Sequence, residues 1–113
     1  MTSKRRPHHR SLSPAKLDEM IEEATVDAYG ESEQTVGFFT LLEERLKLPF
    51  KTEVLGVEVI VERLDMTDDQ QIVAVCSRGK SQQRVSILNL TSTDPPPKGA
   101  EWIEAFRRWV RGR

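Results

Sequence analysis

Carboxylate side chains are concentrated in one part of this chain, and they are the residues best suited to chemistry. Residues 18 to 69 contain fifteen of the eighteen aspartates and glutamates but only four lysines or arginines, a local net charge of −11. The whole chain carries only −1, because residues 1 to 16 and 70 to 113 each carry +5. Carboxylate oxygens are the ligands that hard cations such as Ca²⁺ prefer. The acidic part is therefore either a well-solvated surface or a cation site.

The first candidate cluster surrounds a glycine. Asp27, Glu31 and Glu33 lie within seven residues around Gly30, so several oxygens could converge on one ion, with backbone carbonyls of the bend as further ligands. The spacing is not that of an EF-hand loop. In the alternative interpretation, Asp27 is simply solvated, while the two glutamates stabilise the positive end of the following helix.

The second candidate cluster is the turn that contains Asp65, Asp68 and Asp69. Three carboxylates in five residues repel one another, and a divalent cation would relieve that repulsion. A plain polar hairpin turn has the same composition, so this alternative stays open. Glu43 is a further candidate ligand, although its i, i+4 spacing to Lys47 is also typical of a surface ion pair.

The sequence offers little for catalysis. It contains no cofactor motif, and its histidines, His8 and His9, lie far along the chain from the single cysteine, Cys76. Cys76 lies in a strand-like run, which predicts a buried thiol. One cysteine excludes an internal disulfide and, with no apolar run near eighteen residues, favours a soluble cytoplasmic protein that does not contact membranes. We predict that the protein is not an enzyme.

Two helices must position the first cluster. Ser13 followed by Pro14 predicts a helix start, and apolar residues at helical spacing continue to Ala28, with Gly30 as the C-cap. Ser32 is the predicted N-cap of a second helix, which ends at Leu48 because a proline follows. Together these signals predict a helical hairpin over residues 13–48.

After the hairpin the apolar period changes to that of strands. The expected fold class is α+β, with the hairpin and a C-terminal helix packed on a small antiparallel SH3-like sheet or barrel. Trp102, Phe106 and Trp109 form the apolar face of the last helix, which predicts a core role for them. We expect a disordered basic arm over residues 1–12, followed by one domain over residues 13–113. Within the domain, the sheet is predicted over residues 50–90 and the C-terminal helix over residues 100–111. The predicted strands are 50–55, 57–64, 71–76 and 83–90.

Part of the chain resembles a known family. The stretch from Ile21 to Lys51, with Val26-Asp27-Ala28-Tyr29, Gly37-Phe38, Leu42-Glu43 and Pro49-Phe50, is similar to small non-EF-hand bacterial calcium-binding proteins of the CcbP type. The likeness extends over most of the chain from about residue 17. It implies a compact α/β protein that binds Ca²⁺ through surface carboxylates.

The sequence thus supports three functional hypotheses. The preferred one is a calcium-binding protein, acting as a buffer or a sensor, with calcium as its principal partner. The alternative is a nucleic-acid or protein-binding module that uses an SH3-like barrel and the basic arm, although the aromatic residues that usually stack bases are scarce in the sheet. In the third hypothesis the halves of opposite charge pair head to tail; we expect a monomer or a weak homo-oligomer.

Overall fold

Three helices and four strands make up residues 12–112, which are the residues that the structure, a computed structural model, describes. The predicted arm lies outside the described residues except for Leu12, which packs against the core. None of the helices in this part of the chain has the length and apolarity needed to cross a membrane. The elements are α1 (Pro14–Thr25), α2 (Glu31–Arg45), β1 (Phe50–Val54), β2 (Val57–Met66), β3 (Ile72–Arg78), β4 (Ser81–Ser86), a 3₁₀ turn (Ile87–Asn89) and α3 (Glu101–Gly112).

The start of α1 is as predicted, but the bend between α1 and α2 differs. The Ser13 hydroxyl accepts a hydrogen bond from the Lys16 backbone N–H at 3.1 Å, so Ser13 is the N-cap. However, α1 ends at Thr25, and Gly30 precedes α2 as its N-cap, with φ 96° and ψ 164°. Only glycine adopts this non-helical backbone conformation readily, so α1 cannot continue through Gly30 and α2 begins directly after it. The predictions of Gly30 as a C-cap and Ser32 as an N-cap were therefore wrong.

The end of α2 is set by a tertiary contact. The helix ends at Arg45, three residues earlier than predicted, and the backbone N–H of Lys47 donates to the carbonyl of Lys98 at 2.8 Å. Lys47 therefore lies outside the helical geometry that an i, i+4 pair requires. The ion pair predicted between Glu43 and Lys47 is not formed among the described residues.

The sheet is an antiparallel meander in the order β1-β2-β3-β4, so β1 and β4 are its edges. The register of β2 against β3 shifts between Val61 and Arg63, which is a bulge. The last strand ends at Ser86, earlier than predicted, because the Ser86 hydroxyl accepts from the Leu88 N–H at 3.2 Å and starts the 3₁₀ turn. The α+β class predicted from the sequence is confirmed.

One apolar core joins the helices to the sheet. Phe38 of α2 is fully buried, and its ring lies 5.3 Å from Phe106 and 5.2 Å from Trp109, both on α3. Aromatic pairs at these separations stabilise a core beyond the area they bury. Cys76 of β3 is buried, as predicted, and its burial raises the pKa of the thiol. The aromatic face of α3 is therefore core.

An ion pair between α1 and α3 makes the first testable prediction. Arg108 donates to both carboxylate oxygens of Asp18, at 2.8 and 3.4 Å, and this hydrogen bonding lowers the pKa of Asp18. Because the folded pKa lies below the unfolded value, the stabilisation is complete above about pH 4 and is lost as the pH falls through the folded pKa. Arg108→Gln should therefore raise the Asp18 midpoint toward about 3.9 in an NMR titration. Lys47→Gln is the matched control, and an Asp18 midpoint that stays low in Arg108→Gln would contradict the pairing.

Candidate metal centre

The bend between α1 and α2 fixes one of the three carboxylates predicted there. Glu33 accepts a hydrogen bond from the Tyr29 backbone N–H at 2.7 Å, which closes the bend at the start of α2. Asp27 is exposed and has a positive φ of 62°, a conformation that aspartate tolerates better than most residues. Glu31 is the first residue of α2 and is exposed. The bend thus leaves Asp27 and Glu31 exposed to solvent, while the carboxylate of Glu33 accepts a backbone hydrogen bond.

The loop between β2 and β3 is held around one hydroxyl. Thr67 donates through its side chain to Asp69, and the same hydroxyl accepts from the Gln71 N–H at 3.0 Å. The Thr67 N–H donates to the Gln71 carbonyl at 3.0 Å, and Gln70 takes a positive φ of 63°. Asp68, at the tip, is exposed. The loop therefore holds Asp69 in a defined position, and one of the oxygens of its carboxylate already accepts a hydrogen bond.

Asp65 has a structural role in this structure. One carboxylate oxygen accepts from the Met66 N–H at 2.8 Å, and the other lies 2.8 Å from the Arg84 guanidinium. The hydrogen bond from Met66 and the charge of Arg84 hold the pKa of Asp65 below its usual value. Since Asp65 lies on β2 and Arg84 on β4, the pair reaches across β3. Coordination by Asp65 would have to compete with this arginine.

The two acidic segments, far apart in sequence, meet at one cleft. This cleft, about 430 Å³, lies between the start of α2, the β2–β3 loop, the 3₁₀ turn and α3, and Glu31 and Asp69 both line it. Its apolar wall comes from Ile72, Leu88 and Phe106. Besides the two carboxylates, the lining supplies neutral oxygen donors of the kinds that complete a Ca²⁺ shell: Ser32, Thr35, Gln70, Gln71 and Ser86.

The structure does not gather the whole predicted ligand set. Within residues 12–112, no three side chains among the histidines, cysteines, aspartates and glutamates are grouped closely enough to hold a metal ion. Glu43 follows Glu31 by twelve residues on the same helix, which separates them by about 18 Å along the axis. One ion therefore cannot bind both, and the seven predicted ligands remain a prediction as a set.

Sequence reasoning missed the amide side chains at the cleft. Gln70 and Gln71 follow Asp69 directly, and a glutamine carbonyl is a common Ca²⁺ ligand, so their position next to the aspartates was the available signal. A second, adjoining cleft was also not foreseen: Glu31 lines it together with Arg108 and Arg111 of α3. Glu31 therefore lies between an oxygen-rich cleft and one whose lining also contains arginines.

Comparison with known proteins gives three results. The family model described as CcbP-type calcium binding matches residues 18–110, most of the chain. The crystal structure of Anabaena CcbP shares the fold, with a TM-score of 0.69 and 18% sequence identity, over 97% of this chain and 95% of that chain. No curated protein sequence gives a significant match. The structural likeness supports the fold alone, whereas the family match covers both acidic segments: the chain belongs to the CcbP family of calcium-binding proteins.

Proposed function

We propose that the chain binds Ca²⁺ in the cleft between α2 and the β2–β3 loop, with Glu31 and Asp69 as its charged ligands. The observation that carries this proposal is the convergence of both acidic segments on one cleft in a member of a calcium-binding family. Ca²⁺ takes six to eight oxygens, so the amide oxygens of Gln70 and Gln71, backbone carbonyls and water would complete the shell. Two carboxylates are a small charge count, which favours a dissociation constant of roughly 10⁻⁵–10⁻³ M.

The other predicted carboxylates have a second role in this proposal. Asp27 and Asp68 are exposed near the two segments, and the surrounding sequence carries a large excess of negative charge. Such a field raises the local concentration of cations and speeds their association without direct coordination. Removing one of these charges should therefore weaken Ca²⁺ binding less than removing Glu31 or Asp69, and high salt should reduce their effect.

The site suits a sensor as well as a buffer. An ion held by Glu31 and Asp69 would join the start of α2 to a loop, so calcium could change the order of that loop. A role in binding, and not in catalysis, agrees with the buried Cys76 and with the family. The same free, buried cysteine favours the reducing cytoplasm as its location.

Calorimetric titration of the full chain with Ca²⁺ tests the proposal. Glu31→Gln and Asp69→Asn should each weaken Ca²⁺ binding by about tenfold or more, because each removes a charged ligand. Glu43→Gln is the matched control: it makes the same charge change on the same helix, about 18 Å away, and should leave the affinity nearly unchanged.

Three results would count against this site. Absence of heat at millimolar Ca²⁺ would mean that this chain has lost calcium binding. A loss of affinity in Glu43→Gln with none in Glu31→Gln would place the ion near the C-terminal end of α2. Equal small losses in all three variants would show that the carboxylates act only through their summed charge.

A further inference from the structure

We propose that the groove between the β1–β2 hairpin and strand β4 binds an extended acidic segment of a partner protein, which adds to β4 as a further strand. This groove is separate from the cleft that contains Glu31 and Asp69, and the two share only Ser86. Aliphatic side chains from three strands and from the β1–β2 turn line it: Val54, Leu55, Val57, Val59 and Val85. Aspartate and glutamate are absent from its lining among residues 12–112.

The groove follows the edge of β4. Gln83, Arg84, Val85 and Ser86 all line it, although successive side chains of a strand point to opposite faces. A groove lined by consecutive residues must run along the edge of the strand and not across one face. In the part of the chain that the structure describes, β4 pairs only with β3, so its other edge offers backbone N–H and C=O groups. An added strand would satisfy these groups and place alternate side chains against the valines.

Leu55, at the rim of the groove, has a strained backbone conformation. Its side chain is 95% exposed and its φ is 53°, in the left-handed region that leucine avoids. The turn that it forms with Gly56, also at positive φ, favours asparagine or aspartate before glycine. A leucine in this conformation is strained, because its Cβ atom lies too close to the following carbonyl oxygen. Neither burial nor turn geometry explains a leucine here, whereas contact with a bound apolar side chain would.

The charge of the groove selects an acidic ligand. Residues 78–84 carry three basic side chains and no carboxylate, and two of the three, Arg78 and Arg84, line the groove. Arg84 already pairs with Asp65, so Arg78 is the main cation available to a ligand. A single-stranded nucleic acid would also be attracted, but such ligands stack their bases on aromatic side chains, and the lining here is aliphatic. The structure therefore favours an acidic peptide.

Selection of a random dodecapeptide display library on the full chain is the experiment. We expect enrichment of acidic peptides in which aliphatic residues alternate with polar ones, and increased protection of β4 amides from hydrogen exchange when such a peptide binds. For a selected peptide, Leu55→Asn should weaken binding at least tenfold in fluorescence anisotropy. Arg78→Gln should weaken it several-fold at low salt and less at high salt.

Leu55→Asn separates binding from folding. Asparagine suits this turn better than leucine, so the variant should unfold at the same temperature as the natural chain or a higher one. Val36→Ser, which alters another exposed aliphatic residue, is the control and should leave peptide binding unchanged.

Several outcomes would overturn the proposal. The groove would be excluded as a peptide site if the selection enriched no acidic peptides, or if Leu55→Asn and Arg78→Gln left peptide binding unaffected. Tighter binding of a single-stranded DNA oligonucleotide with the same dependence on these residues would assign the groove to nucleic acid. Concentration-dependent sedimentation that Leu55→Asn abolishes would assign it to a second copy of this chain.

Discussion

Replacing Gly37 by alanine should destabilise the protein by about 2–3 kcal/mol, in spite of the better helix propensity of alanine. Gly37 lies inside α2, where the two helices of the hairpin cross, and a Cβ atom there would lie 2.1 Å from the carbonyl oxygen of Ala24 in α1. Propensity alone predicts a gain of about 1 kcal/mol. Overpacking typically costs about 1–3 kcal/mol and occasionally more. Because a Cβ atom 2.1 Å from a backbone oxygen forces the helices apart, we expect a cost at or just above the upper end, about 3–4 kcal/mol, which leaves a net loss of about 2–3 kcal/mol after the propensity gain.

Thermal unfolding followed by circular dichroism measures this effect. A loss of 2–3 kcal/mol corresponds to a fall in Tm of about 8–24 °C for a domain of this size. Gly112→Ala is the matched control, since a Cβ at that helical position meets no atom within 4 Å and should stabilise by up to about 1 kcal/mol. If Gly37→Ala were as stable as Gly112→Ala, then α1 and α2 would not approach as closely as described.

The same substitution connects the fold to the proposed site. The hairpin crossing at Gly37 lies less than two turns from Glu31, so a shift of α2 away from α1 would move Glu31 relative to Asp69. Calcium affinity should therefore fall together with stability in Gly37→Ala, whereas Gly112→Ala should keep the affinity.

Saturating calcium should raise the unfolding free energy of the full chain by about 2.7 kcal/mol when the ion is present at one hundred times its dissociation constant. An ion that binds the folded state alone stabilises it by mass action, and the proposed cleft exists only when α2 and the β2–β3 loop are assembled. The corresponding rise in Tm is about 10–20 °C. Adding a chelator should return the Tm to its calcium-free value.

The double variant Glu31→Gln with Asp69→Asn makes this prediction specific. Its Tm without calcium is the reference for this test, because Glu31 lies in the first turn of α2, where a negative charge is favourable, and its loss changes stability by itself. Relative to that reference, the double variant should gain little Tm from calcium. Mg²⁺ at the same concentration is the control for simple charge screening. A double variant that still gains the full shift would place the ion elsewhere, and an equal shift with Mg²⁺ would indicate screening instead of coordination.

Local signals in the sequence were sufficient for much of the fold. Ser13 before Pro14 identified the start of α1, because a side-chain oxygen and a missing N–H both act within one helical turn. Phe106 and Trp102 were predicted as core residues from their helical spacing, and both are buried. The family was also recognisable from the residues of the hairpin, and the family match confirms it.

The element ends that were predicted wrongly depend on contacts between distant residues. The end of α2 could not be predicted without the Lys98 carbonyl, which is distant in sequence and accepts a hydrogen bond from the Lys47 N–H. The start of α2 depended on the conformation of Gly30, which could have ended one helix or begun the next. A propensity argument cannot choose between such alternatives, since both satisfy the same local preferences.

For the candidate site, the amino-acid sequence by itself determined the chemistry: an excess of carboxylates in residues 18–69 and the oxygen ligands that they offer to a hard cation. Only the tertiary structure decided which of them line one cleft. It brings Glu31 and Asp69 to one cleft, separates Glu43 along α2, and pairs Asp65 with Arg84. The physical reason is that coordination requires oxygens within a few ångströms of one point. Residues 38 positions apart come close only through the packing of helices on a sheet, and local composition and spacing do not predict that packing.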